Sequence, residues 1–208
     1  HEINNPTAII RGNVELLQME LHHGMPGREE ADEIMKQTER VSLITQNLLS
    51  FAREQMIRSE RIELNGLIEE IIAQLSHQVD MDDIIIKKDF SPSVPEVEGD
   101  RERLRQVFTN ILLNAVQAMD GRGILSLSSR SDKTGVQIGI ADTGCGIDDD
   151  IREKIFNPFF TTKSNGTGLG LSVSYGIMPT HRGSIEVSST AGEGTVFLLR
   201  LPLPQRYS

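Results

Sequence analysis

The chain opens HEINN, which sets the imidazole of His1 beside the carboxylate of Glu2. A neutral imidazole is a competent nucleophile near pH 7, because its unperturbed pKa is about 6.5. The attacking nitrogen must lack a proton, so a carboxylate that takes the proton from the other ring nitrogen assists it. Asn5 lies one helical turn beyond His1 on the same face. The competing reading is an ordinary charged pair on a helix surface. The pattern is not the HExxH of zinc proteases, because position 5 is Asn, and one cysteine, Cys145, gives no zinc-ligand spacing.

Four further stretches carry candidate chemistry. In DTGCGI, 142–147, Asp142 ends an apolar strand and is followed by Gly144 and Gly146. A carboxylate there can accept a hydrogen bond from an amino group such as the exocyclic amine of adenine; a plain turn with Asp in first place is the alternative. NILLN, 110–114, puts Asn110 and Asn114 on one face of a helix. Their carbonyls suit Mg²⁺, a hard cation held through few protein ligands plus phosphates, or else they simply line a solvated face. GTGLGL, 166–171, offers close backbone approach and helix-start N–H groups to a phosphate, but it is neither a Walker sequence nor a strand-linked dinucleotide fingerprint. FNPFF, 156–160, followed by TTK, places three phenylalanines in a polar glycine-rich loop. They either pin a lid or form a minor core cluster, and Lys163 is a candidate phosphate contact. The run Asp148–Asp150 precedes a short helix and reads as capping and dipole compensation rather than metal binding.

These residues need elements to hold them. Residues 1–23 repeat apolar positions at Ile3, Thr7, Ile10, Val14, Leu17 and Leu21, in steps of four and three. After the turn signal HGMPG, a second helix over about 28–56 carries Ile34, Val41, Ile44, Leu48 and Phe51. Two helices bury little alone, so this hairpin is expected to complete a bundle by dimerisation. From about residue 61 the pattern becomes mixed: RIELN and DIIIKKDF read as strands, with GLIEEIIAQL between them as a helix. SPSVPEVEGD, with two prolines, breaks regularity, and a long amphipathic helix then begins behind an Asp100 cap. ILSLSSRS, GVQIGIAD, SIEVSST and TVFLLRLP complete the strands. Pro179 in GIMPTHRG should kink or end the helix after GTGLGL near Met178. One mixed sheet with helices on one face follows.

Composition narrows the possibilities. The 208 residues are 38% hydrophobic with a formal net charge of −9, so a core is affordable and no basic face for nucleic acid stands out. The single cysteine fits a reducing compartment, and no apolar run approaches the ~20 residues of a bilayer span. A start at His1 without Met reads as a fragment, so any membrane anchor belongs to segments outside this chain.

Taken in order, HEINNP, NILLN with the following AVQAM, DTGCGI, FNPFF and GTGLGL resemble the H, N, G1, F and G2 boxes of the sensor histidine kinases of two-component systems. The resemblance covers essentially the whole chain and is closest in flavour to the nitrogen-regulator type. It implies an α-helical hairpin over 1–57 that forms a dimeric four-helix bundle, followed over 58–208 by an α+β two-layer sandwich of the Bergerat ATP-binding type, as in gyrase. By position it implies His1 as phosphoacceptor, Glu2 as general base, and Asn5 as the residue that helps dephosphorylate the partner. Asn114 would ligate Mg²⁺ with Asn110 close to the nucleotide, and Asp142 would read the adenine amine with Gly144 and Gly146 beside it. Gly166, Thr167, Gly168, Leu169 and Gly170 would close over the phosphates of ATP.

The implied activity is ATP-dependent autophosphorylation and transfer to an aspartate of a response-regulator receiver domain, with phosphatase activity, in a cytoplasmic homodimer. The alternative is a nucleotide-gated interaction module that transfers nothing. One departure bears on the site: many relatives carry a basic residue three positions after the second asparagine, and here it is Gln117. Lys163 is then the candidate to supply that charge.

Overall fold

The computed structural model describes residues 4–22, 25–52, 59–163 and 166–204. Two helices come first, α1 (Asn4–Glu20) and α2 (Arg28–Ala52), packed on one another. Gly27, at φ 90°, makes the turn between them. Arg28 then reaches back across that turn. Its Nη1 donates to the carbonyls of Gln18 (2.6 Å) and Leu21 (2.9 Å), which the end of α1 leaves unpaired. Asp32 holds the same guanidinium at 3.1 Å and also accepts from Gln18 Nε2 at 2.7 Å.

The apolar stripes of this pair are only half covered. Thr7 and Val14 of α1 and Ala31, Thr38 and Thr45 of α2 are buried, whereas Ile10, Leu17, Ile34 and Val41 remain 42–47% exposed. A lone hairpin covers one side of each stripe and leaves the other open. The side chains of Ile44, Leu48 and Phe51 lie outside those described.

The second half is an α/β sandwich. Strands β2 (Asp83–Phe90), β4 (Arg122–Ser131), β5 (Gly135–Asp142), β6 (Ser184–Thr190) and β7 (Gly194–Pro202) form one sheet in the order β2-β4-β5-β7-β6. Only β2 and β4 run parallel. Helices α3 (Leu64–Leu75), α4 (Arg101–Ala118) and α6 (Gly170–Thr180) carry the other half of the core. Period-2 alternation sends Val136, Ile138 and Ile140 of β5, and Phe197, Leu199 and Leu201 of β7, into it. From α4 the buried set is Leu104, Val107, Phe108, Ile111, Leu112, Ala115 and Val116, a helical stripe. That stripe fixes which way the opposite edge of α4, with Asn110 and Asn114, must face.

Several local expectations change. RIELN is a strand only as β1 (Glu60–Ile62), because Glu63 caps α3 by accepting from the Asn65 and Gly66 amides at 2.9 and 2.5 Å. SPSVPEVEGD holds a short strand, β3 (Val97–Gly99), paired antiparallel with β1. Asp100 does cap α4, accepting from Arg103 N–H at 3.1 Å. Asp148 stands at the N-cap of the one-turn helix α5 (Asp149–Arg152) without a side-chain cap bond, so of the acidic run only the dipole compensation by Asp149 and Asp150 remains. The helix with Pro179 runs two residues past Met178, to Thr180, because proline in a last turn forfeits a single intrahelical bond. Among the described residues no helix is long and apolar enough to cross a membrane.

Candidate functional site

Asp142 is the last residue of β5, and the alternation that buries Val136, Ile138 and Ile140 also buries its carboxylate, 7% exposed. Oδ1 accepts from the Gly144 amide at 2.9 Å, and the amide of Thr195, its register partner on β7, hydrogen-bonds the same carboxylate. Desolvation pushes the Asp142 pKa above the ordinary carboxylate value, against the pull of those two amides and of the Lys163 charge. An ionised carboxylate has about four acceptor positions, so capacity remains for a further donor.

The turn after Asp142 is stitched to three neighbours. Cys145 N–H donates to the Ala118 carbonyl at the end of α4 (3.0 Å), and Gly192 N–H to the Cys145 carbonyl (2.7 Å). Ile147 N–H donates to Ser189 Oγ at 2.9 Å, and that hydroxyl donates to the Gly194 carbonyl at 2.7 Å. Gly144 lies against Ala118, and Gly146, at φ 69°, lies against the Thr190 carbonyl, so a Cβ at either would collide with backbone. Both glycines beside Asp142 thus have a packing reason to be glycine.

The two asparagines of α4 do different work. Asn110 Nδ2 donates to the Gly170 carbonyl at 3.0 Å and to Ser174 Oγ at 3.2 Å, which clasps the start of α6 to α4. Asn114 Oδ1 accepts from Lys163 Nζ at 3.0 Å, and Gln117 Oε1 accepts from the same ammonium at 2.7 Å. Gln117 therefore does not lack a positive charge; the loop delivers one to it. Lys163 is exposed as a residue, yet desolvation at its ammonium lowers its pKa, opposed by Cys145 and Asp142. Two neutral amide oxygens converging on one cation form a donor set that suits a hard metal ion with phosphates as further ligands. Among the described residues no three His, Cys, Asp or Glu side chains form a metal site by themselves.

The loop between α5 and α6 is docked by part of FNPFF. Phe156 meets Tyr175 of α6 with ring centroids 4.8 Å apart, and Phe160 packs on the core. Phe159 is 57% exposed and sits at φ 67°, with Gly168, also at φ 67°, pressed onto its backbone. Gly166 lies against Thr161, Thr167 Oγ1 accepts from Leu169 N–H at 3.5 Å, and Leu169 is buried. Leu169 at the N-cap offers no side-chain acceptor, so the first amides of α6 have no side-chain cap.

Asn5 is exposed in the first turn of α1, while His1 and Glu2 lie outside the described residues. The structure thus brings together Asn110, Asn114, Asp142, Lys163 and the 166–170 stretch. It adds Gln117, Ser189 and Thr195, none of which was a site expectation. Ser189 and Thr195 flank the AGEG turn, and polar residues at the inner mouth of a hairpin were the available signal.

A family model described as histidine kinase-, DNA gyrase B-, and HSP90-like ATPase matches residues 99–205, and one described as His kinase A (phospho-acceptor) domain matches residues 1–57. The chain is 36% identical over 204 residues to the signal transduction histidine-protein kinase AtoS of Escherichia coli strain K12, across 98% of this chain and 33% of AtoS. Against the sensor histidine kinase ZraS of the same strain it is 34% identical over 203 residues, across 98% of this chain and 44% of ZraS. The solved structure of histidine kinase ThkA in complex with response regulator protein TrrA matches with a TM-score of 0.74 at 28% identity, covering 100% of this chain and 60% of that one. The chain therefore spans between a third and a half of the length of these curated relatives.

Proposed function

The chain belongs to the histidine kinase-, DNA gyrase B- and HSP90-like ATPase family, and on that premise we propose that it is the kinase core of a two-component sensor: an ATP-dependent autokinase on His1 that passes the phosphoryl group to an aspartate of a response regulator. The observation that carries this reading is a buried carboxylate, Asp142, within reach of the Lys163 charge, which a cradle of Asn114 and Gln117 oxygens holds.

In this reading residues 1–57 are the dimerising phosphotransfer hairpin and residues 58–208 the catalytic domain. The uncovered side of the stripe, Ile10, Leu17, Ile34 and Val41, would be closed by a second copy. Asp142 accepts from the adenine amine, supported by its spare acceptor capacity. Lys163 and the Gly166–Gly170 stretch, with the Gly170 amide at the uncapped start of α6, face the phosphates, as helix N-termini favour. Asn110 acts by holding that helix start. Asn114 would hold Mg²⁺, which supplies charge neutralisation on the phosphates. Phosphoryl transfer asks mainly for positioning and charge. The unprotonated nitrogen of His1 forms the new P–N bond as the bond to the ADP oxygen breaks, and Glu2 takes the imidazole proton. Transfer to the regulator aspartate restores the histidine. Asn5, one turn on, supports a phosphatase step by orienting water, and ATP and the regulator place this chemistry in the cytoplasm.

The test is incubation with γ-labelled ATP and Mg²⁺. Wild type should gain an acid-labile, alkali-stable label that His1→Gln lacks. Equal, acid-stable labelling of both proteins would refute the proposal, and ATP binding with no labelling would favour the interaction-module alternative.

A further inference from the structure

Lys163 leaves the loop after FNPFF and sets its ammonium on two oxygens of the last turns of α4: Asn114 Oδ1 at 3.0 Å and Gln117 Oε1 at 2.7 Å. Three residues apart on one helix, those oxygens share a face and converge. The backbone that presents Lys163 is itself seated. Thr161 Oγ1 accepts from Lys163 N–H at 3.1 Å, and the Lys163 carbonyl accepts from Gly166 N–H at 3.1 Å. A lysine on an exposed loop loses rotamer freedom when it is held this way, and neutral amide oxygens return less than a carboxylate would. Amide oxygens are, however, ligands that a hard divalent cation accepts.

Resting on the nucleotide reading above, we propose that Lys163 is a resident cation: its ammonium stands on the Asn114 oxygen that a divalent cation would take, and it must leave Asn114 before that ion can bind there. An ammonium and a divalent ion on one oxygen are like charges within a few ångströms, and they repel. Nucleotide resolves the conflict, since phosphate oxygens are charged acceptors that draw the ammonium away more strongly than an amide does. Loop position and metal occupancy then become one exchange. The same lysine leaves a positive charge for the phosphates when no metal is present, so it sets how strictly binding depends on metal.

The experiment is calorimetry of ATP binding to the full chain, in excess EDTA and along a Mg²⁺ titration, for wild type, Lys163→Met and Lys163→Arg. Lys163→Met should weaken binding in EDTA by about tenfold, the loss of one charge-assisted contact. It should lose much less at saturating Mg²⁺ and need less Mg²⁺ for half-maximal tightening. Lys163→Arg keeps the charge and should stay near wild type in EDTA. Without nucleotide, amide exchange around residue 163 should quicken in Lys163→Met, a readout independent of ATP. Equal weakening with and without Mg²⁺ would make Lys163 an ordinary phosphate contact and overturn the exchange. Unchanged binding and exchange would make the contact incidental. A wild type that binds ATP under neither condition would refute the nucleotide reading itself.

Discussion

His181 Nε2 accepts the backbone N–H of Asp100 at 3.0 Å, while its Nδ1 meets the Ile177 carbonyl at 3.1 Å. An accepting Nε2 assigns the proton to Nδ1, so one neutral imidazole ties the start of α4 to the end of α6. Those are the two helices that Asn110 clasps at their other junction. Gly99 packs on the ring so closely that a Cβ would meet Cδ2 at 2.5 Å. His181→Leu should therefore lower stability by about 1–3 kcal/mol, because the Asp100 N–H loses its acceptor. Urea unfolding checks this, with the exposed His77→Leu as a control expected to stay within about 0.5 kcal/mol.

Asp142 should give the protein a pH signature. Burial raises its folded pKa, so the native state holds this proton more tightly than the unfolded chain, whose Asp pKa is about 3.9. The group's contribution favours folding below that value and is lost as pH rises through the folded pKa. Unfolding curves of Asp142→Asn and wild type at pH 4.5 and 7.5 should show the variant gaining relative stability at the higher pH. Wild type should prefer ATP over inosine triphosphate, which lacks the amine, and Asp142→Asn should erase most of that preference. A preference that survives the substitution would remove Asp142 from base recognition.

Asn110→Ala and Asn114→Ala should separate. The first frees the start of α6, costing about 1 kcal/mol of stability and speeding amide exchange at residues 170–174. The second should leave stability close to wild type and abolish the Mg²⁺-dependent part of nucleotide binding. Unchanged Mg²⁺ dependence in Asn114→Ala would mean that the metal ligand lies elsewhere.

Gly146→Ala and Gly192→Ala form a matched pair, since both positions have positive φ, 69° and 81°. Only Gly146 has a carbonyl where the methyl would go; Gly192 faces open space. Gly192→Ala should cost about 1 kcal/mol of backbone strain, and Gly146→Ala clearly more, read as melting temperatures.

Asn5→Ala should spare autophosphorylation and slow dephosphorylation of the regulator, measured as decay of phosphorylated receiver domain with and without the kinase. Loss of both activities together would show that this exposed residue supports the helix instead.

Much of this site was readable because its determinants are local. The Asp100 cap, the apolar stripe of α4 and the alternation ending in Asp142 each lie within a few turns or one strand. What could not be read depends on partners distant in the chain. β3 is three residues between a proline-containing stretch and the Asp100 cap, and exists because β1, 39 residues away at Glu60↔Gly99 and 35 at Ile62↔Val97, supplies its ladder. Asn110 shares a helix face with Asn114, so spacing alone gave them one role. Their separation comes from α6 arriving beside the first and Lys163 beside the second. Gly144 and Gly146 were readable as neighbours of Asp142, but the packing of Ala118 and Thr190 against them was not. The half-covered stripe of α1 and α2 has the same origin, since periodicity reports that a face is apolar without saying what covers it.

The place of β7 sets a timetable for synthesis. β7 lies between β5 and β6, although it follows both in the chain, and Thr195 on it completes the clasp on Asp142. A nascent chain that has emerged as far as Thr190 already holds α4 and β5, but the β5 edge is still open where β7 belongs. An open strand edge is a template for pairing with another chain, and such distant pairings close slowly. The β5 edge is thus most open to wrong pairing between the emergence of β5 and that of β7, and the clasp on Asp142 is complete only once β7 has emerged.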